Sequence, residues 1–158
     1  MTVDTATFRH VLGAVPTAVS ILTMVDDDGV DRGMTVSAFC SVSLSPPLVL
    51  VCIGNDATIS GPMRGASTFA LNVLADDQAD LSRVFADTGA RPFAGVGSSR
   101  GPGGMLLIDG TSARLECRIT ARYPGGDHTI VVGEVTSADV SPRPPLLYHR
   151  GRYSALAP

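Results

Sequence analysis

Tryptophan is absent from this 158-residue chain, and aromatic residues make up only 5% of it. The hydrophobic residues are therefore mostly aliphatic, with five Phe and three Tyr among them. At 44% hydrophobic there are enough of these for one sizeable globular domain over residues 1–158, and the length is too short for two ordinary ones. Basic excess is missing as well: 12 Lys and Arg stand against 15 Asp and Glu, net −3, so neither nucleic acid nor an anionic membrane surface is an expected partner. The longest apolar run, residues 48–53, falls far short of the roughly 20 needed to span a bilayer. The start, Met1-Thr2-Val3-Asp4, has neither the basic region nor the apolar stretch of a secretory signal, so a cytoplasmic location is expected. Cysteine is scarce: Cys40, Cys52 and Cys117 contain no CxxC pair and read as reduced, half-buried strand residues. His10, His128 and His149 form no ligand-spaced set with them, so no metal site is expected, and no GxSxG elbow supports serine hydrolysis.

Phe8, Val11, Leu12 and Val15 recur at helical spacing, with Asp4 or Thr5 as cap and Pro16 as terminator. Residues 18–25, the turn Asp26-Asp27-Asp28-Gly29 and the extended stretch from Val30 predict a hairpin. Residues 48–53 and 69–74 predict core strands flanking a connector helix at 59–64. A further helix is expected from a cap at Asp76 or Asp77 through Phe85, with Leu81, Val84 and Phe85 on one face. Residues 91–104 are rich in Gly, Pro and Ser without period and read as a long surface loop. Two long strands, 113–122 and 128–137, flank a turn at 123–126, and a last strand pair follows at 146–148 and 152–154. So many strands with so few short helices predict a mainly β fold, an antiparallel barrel.

Three segments carry candidate chemistry. In Thr35-Val36-Ser37-Ala38, small residues after Gly33 let backbone approach a flat ligand while hydroxyls and main-chain N–H groups meet its polar edge; an ordinary polar strand entering a turn is the alternative. Cys52-Ile53-Gly54-Asn55-Asp56-Ala57-Thr58, with Ser60 and Arg64 beyond, is a strand end leading to a short helix, and suits either a phosphate or a ligand-free turn, Asp56 favouring the latter. Gly126-Asp127-His128 sets an imidazole at the mouth of an apolar strand, where Asp127 can orient the ring. Gly95-Val96-Gly97 through Gly104 is no dinucleotide fingerprint, because no strand precedes it and no helix follows.

In order and spacing these motifs resemble the flavin reductase-like family, the short-chain reductase components of two-component flavin monooxygenases. The likeness starts at Phe8-Arg9 and runs through residues 17–23, 33–54, 69–74 and 126–135 to Pro145-Leu146-Leu147-Tyr148 and Gly151-Arg152-Tyr153. The resemblance implies an FMN-binding split β-barrel of Greek-key type with a few short flanking helices. It implies a homodimer that transfers a hydride from NADH, or NADPH, to FMN or FAD and supplies reduced flavin to a transient partner monooxygenase. Thr35, Val36, Ser37, Ala38 and Ser41 would then line the flavin ring, and Cys52, Ile53, Gly54, Asn55 and Thr58 would reach the ribityl chain and phosphate. Phe85 and Ala86 would lie beside the flavin, while Gly126, Asp127 and His128 would face the nicotinamide, His128 being the expected catalytic residue. Many members have Lys or Arg near the position of Asp56; this chain has a carboxylate. A flavin carrier or sensor without turnover would look nearly the same, as would an enzyme that keeps its flavin and acts on an organic substrate. Nor do the residues choose between FMN and FAD. No cationic cluster beside Gly126-Asp127-His128 announces a 2′-phosphate pocket, which favours NADH, although Arg122, Arg150 and Arg152 are within reach in the sequence.

Overall fold

The computed structural model describes residues 2–87 and 93–156. Helix α1 (Thr5–Gly13) starts where the sequence predicts, because Asp4 accepts the Thr7 backbone N–H at 2.8 Å and its hydroxyl at 2.9 Å. Its apolar stripe faces outward: Phe8 is 55% exposed and Val11 56%, and no residue of the helix is buried. Strands β1 (Thr17–Ala18), β2 (Ser20–Val25), β3 (Asp31–Val36), β4 (Phe39–Leu44) and β5 (Pro47–Gly54) follow, then α2 (Ser60–Gly65), β6 (Thr68–Val73) and α3 (Ala79–Ala86). The last part of the chain forms β7 (Ser98–Arg100), β8 (Leu106–Ile108), β9 (Ala113–Gly125), β10 (His128–Val140), β11 (Leu147–His149) and β12 (Arg152–Ser154).

The principal sheet has seven strands in the order β3-β2-β6-β9-β10-β5-β4, and every paired neighbour is antiparallel. Its two edge strands, β3 and β4, are joined in the chain by Ser37-Ala38 alone, so the sheet must roll until its edges meet at that corner. They meet without pairing to one another, which leaves the barrel split along β3. The architecture is the mainly β antiparallel split barrel that the sequence implied. Strand alternation then sorts side chains by face. Leu22, Met24, Val36, Val49, Val51, Ile53, Phe69, Leu71 and Val131 fill the barrel interior. Val19 and Ile21 point the other way, toward Leu74, Phe85, Ile108 and Leu146.

That outer face explains the Gly-rich segment. Residues 91–92 lie outside the described residues, but from 98 onward the expected surface loop is a β7–β8 hairpin lying on the sheet. Buried polar groups hold it there. Asn72 donates to Ile21 O at 3.1 Å and accepts Ile108 N–H at 2.8 Å, and Thr23 donates to Leu106 O at 2.7 Å. Glu116, 2% exposed, accepts the N–H of Gly103 at 3.0 Å on both oxygens and that of Met105 at 3.2 Å. A Cβ on Gly101 would lie 2.5 Å from a Glu116 carboxylate oxygen, so the loop can close over the carboxylate only without side chains there.

Several boundaries differ from expectation: α1 ends at Gly13, short of Val15 and Pro16, and β10 runs on to Val140. β9 continues through Tyr123-Pro124-Gly125, and the turn is only Gly126-Asp127, with Gly126 at φ 75°, as a type II′ hairpin requires. Pro124 is tolerated because β6 ends its pairing at Arg118, leaving that end of β9 with β10 alone. α3 begins at Ala79 with Gln78 as a cap that makes no side-chain cap bond, since Asp76 N–H is drawn to Pro144 O and Asp77 to Arg143. On α3 the buried residues are Ser82 and Phe85, and Val84 is exposed.

Candidate functional site

The split leaves a cavity of about 350 Å³ beside β3, lined by Asp31–Thr35, by Ala57, Thr58 and Ile59 after β5, and by Phe85, Ala86 and Asp87 at the end of α3. That volume lies within the roughly 300–1,000 Å³ range of small-molecule sites. Its long wall is a strand that pairs with β2 and with no other strand among the described residues, so the backbone N–H and C=O groups of its far edge belong to no described ladder. Such an edge can offer main-chain donors and acceptors to a ligand. Gly33 sets the depth of the wall: a Cβ there would lie 2.7 Å from the Phe85 ring and 3.0 Å from that of Phe93. The two rings meet edge to face, 5.1 Å between centroids.

A polar staple fixes the opposite wall. Thr35 donates its hydroxyl to Ser82 O at 2.7 Å, and the Ser82 hydroxyl meets Tyr153 OH at 2.9 Å, with the Arg83 guanidinium 5.0 Å over the Tyr153 ring. Thr35 thus lines the cavity with its hydroxyl already engaged.

The segment between β5 and α2 has the cavity on one flank and the β9–β10 turn on the other. Asn55 makes the second contact: its N–H donates to Asp127 O at 2.9 Å, its amide donates to Gly126 O at 3.3 Å, and it accepts the Thr129 hydroxyl at 2.9 Å. Asn55 thus fixes the turn to the segment. His128 stands opposite Gly54 in the β5–β10 ladder, with Nδ1 2.7 Å from Asp127 Oδ1. The imidazole holds the Asp127 carboxyl below the usual carboxylate range, and Arg9 of α1 adds to this, so the helix lies within electrostatic reach of the turn. With Nδ1 engaged by Asp127, the Nε2 edge is the one available to a ligand.

The structure thus brings Thr35, Thr58, Phe85 and Ala86 to one cavity, whereas Gly54, Asn55, Gly126, Asp127 and His128 gather at the β9–β10 turn and are not among the residues that line it. Ser37, Ala38, Ser41 and Cys52 sit along the corner and the β4–β5 ladder, where Cys52 N–H donates to Ala38 O at 2.8 Å. The side chains of Val36 and Ile53 are buried in the barrel core, so only their backbone is available. Cys40 is exposed, Cys52 is half-buried with its thiol pushed up by burial and then by Cys40, and buried Cys117 is pushed up to about 12; none is paired. Asp31, Arg32, Met34, Ile59 and Asp87 line the cavity without having been proposed as site residues from the sequence, and Ala57 was named only as part of its segment. The extended stretch from Val30 predicted a strand, but only its place at the edge of the sheet reveals a wall.

Comparison with known proteins matches residues 12–157 to the family model described as "Flavin reductase like domain". An NADH:FAD oxidoreductase from Streptomyces globisporus, solved with NAD and FAD fragments, superposes with a TM-score of 0.93 at 43% identity, covering 98% of this chain and 94% of that one. The reductase component of a 4-nitrophenol 4-monooxygenase/4-nitrocatechol 2-monooxygenase from Rhodococcus opacus is 39% identical over 98% of this chain and 83% of its own. The actinorhodin polyketide dimerase of Streptomyces coelicolor is also 39% identical, over 99% of this chain and 89% of its own.

Proposed function

The chain belongs to the flavin reductase-like family, and from that premise we propose that it is an NADH-dependent flavin reductase that supplies reduced flavin to a separate monooxygenase. The observation that carries this reading is the cavity beside β3, whose wall at Ala57, Thr58 and Ile59 continues from the Gly54-Asn55 segment that binds the Gly126-Asp127-His128 turn. The residues fit a flavin: an apolar floor of Met34, Ile59 and Phe85, a free strand edge for the polar rim of the ring, and a polar end at Asp31 and Arg32. The flavin, when bound, supplies the hydride-accepting ring. The protein's part is to bind, orient and keep one face of that ring open. Thr35 and Ser82 hold α3 in place, Asn55 holds the turn, and Asp127 holds His128 so that Nε2 orients the nicotinamide.

A homodimer completes this reading. A helix whose Phe8, Val11 and Leu12 are all about half exposed, followed by an equally exposed Val15, is unusual for a lone chain, and a second copy is the partner we assign to it. A cytoplasmic location accords with three cysteines that are all unpaired.

The test is steady-state NADH oxidation with added FAD or FMN, followed by transfer of reduced flavin to an unrelated flavin-dependent acceptor. Turnover with transfer is expected, and flavin binding without NADH oxidation would convert the protein to a carrier. The Streptomyces coelicolor relative, a polyketide dimerase by name, favours one second reading, in which the flavin stays bound and acts on an organic substrate; reduced flavin would then fail to reach the acceptor. His128→Ala is expected to raise the KM for NADH while leaving flavin affinity nearly unchanged. If both constants stayed as in the wild type, His128 would have no such role.

A further inference from the structure

The cavity is polar at one end, and its cation is not where the sequence pointed. Arg64, the expected neighbour of a phosphate, lines a separate crevice of about 10 Å³ with Ser60, Met63 and Arg122. In the 350 Å³ cavity the cationic side chain among the described lining residues is Arg32. Its Nε donates to Asp26 Oδ2 at 2.8 Å, and its two Nη groups make no hydrogen bond to any described residue. Asp26 is itself fixed, since its other oxygen accepts Val30 N–H at 2.8 Å and Asp28 N–H at 3.1 Å across the β2–β3 turn. Asp31, the carboxylate next to Arg32 on the rim, is already matched by a two-point pair with Arg100, at 2.7 and 2.8 Å. Arg100 is carried on the hairpin whose turn Glu116 pins to the sheet.

We propose that Arg32 is the phosphate-binding residue of this cavity, its guanidinium gripped from behind by Asp26 and its Nη edge presented to the ribityl phosphate of FMN or the corresponding phosphate of FAD. A planar guanidinium with Nε engaged and both Nη groups free is arranged for two parallel bonds to phosphate oxygens. From Arg32 to Thr35 a strand advances about 10 Å, a span that an extended five-carbon polyol bridges when its ring lies at the Thr35 end. Arg100 keeps Asp31 from opposing that phosphate, and so acts as a positioning residue. The proposal rests on the flavin-reductase reading and deepens it by naming the cation that recognises the nucleotide.

The test is equilibrium binding followed by flavin fluorescence, without nicotinamide, using riboflavin, FMN and FAD against wild type, Arg32→Gln and Arg32→Lys. Wild type is expected to bind FMN and FAD more tightly than riboflavin. Arg32→Gln is expected to weaken FMN and FAD by about ten-fold or more, the usual worth of a charge-assisted pair, and to leave riboflavin within about two-fold. Arg32→Lys is expected to recover part of the loss, since charge remains and the fork is gone. Asp26→Asn is expected to show a smaller loss confined to the phosphorylated flavins. Arg32 is about half exposed in its ion pair, so the variants are expected to fold, and far-UV circular dichroism checks that they do. Equal loss for riboflavin and FMN, or no loss for either, overturns the assignment and leaves the flavin site standing. A rise only in the KM for NADH would also overturn it, by moving the anion to the nicotinamide nucleotide. Failure of wild type to bind any of the three flavins overturns the reductase reading along with it.

Discussion

Inside the barrel, β2, β6 and β9 present Leu22, Leu71, Phe69 and Cys117 to an apolar core; on the outside the same three strands present Thr23, Asn72 and Glu116, also buried, under a glycine-rich hairpin. Both faces exclude water, yet their chemistry is opposite. The interior needs only volume and hydrophobicity, and many aliphatic combinations would fill it. The outer face needs each donor matched to one acceptor, because a buried polar group without a partner is costly. The interior holds the sheet together. The outer network decides where a hairpin sits, and through Arg100 and Asp31 it reaches the rim of the ligand cavity.

Substitutions that separate these roles should differ in kind. The largest loss of stability is expected for Phe69→Ala, which empties the centre of the barrel and should cost about 3–5 kcal/mol, read as a lower urea midpoint with global unfolding. Glu116→Ala should cost less, roughly 1–3 kcal/mol for the stranded N–H groups of Gly103 and Met105. Its signature is local: hydrogen exchange should quicken across residues 101–105 while the core strands stay protected. If Glu116→Ala instead lowered protection evenly across the sheet, the outer network would be part of the same cooperative core and the comparison would fail. Gly33→Ala lies between the two regions, since the added methyl meets the Phe85 ring. About 1–3 kcal/mol of overpacking is expected, together with weakened flavin affinity that Phe69→Ala, measured while still folded, should not show.

The smallest effect concerns the turn. The folded Asp127 carboxyl lies below its ordinary value, chiefly through the His128 ring, so this contact contributes above the ordinary carboxylate range and is lost as pH falls through the depressed value. An NMR titration of His128→Ala should find Asp127 returned toward its ordinary midpoint. An unmoved midpoint would mean that the imidazole does not hold the carboxylate.

Much of this was legible in the residues. The Asp4 cap, the Asp26–Gly29 turn and the apolar stretch at 48–53 are local signals, and each formed the element it predicts. Where a distant partner decides, local reading failed. Asp77 looks like a helix cap but pairs with Arg143, and residues 98–104 look like loop until Asn72 and Glu116 fix the hairpin they belong to. The site divides the same way. Thr35, Phe85 and His128 stand in short recognisable motifs, whereas Arg32 draws meaning only from the unpaired edge of β3 and from Asp26 behind it.

The central claim is that the cavity beside β3 presents a flavin to NADH for direct reduction. Anaerobic rapid mixing of the protein and FAD with NADH, following loss of the oxidised flavin absorbance, tests it most directly. We expect bleaching far faster than for free flavin, at a rate that saturates with NADH and is slowed in His128→Ala. Flavin that binds and yet remains oxidised at saturating NADH would contradict the account.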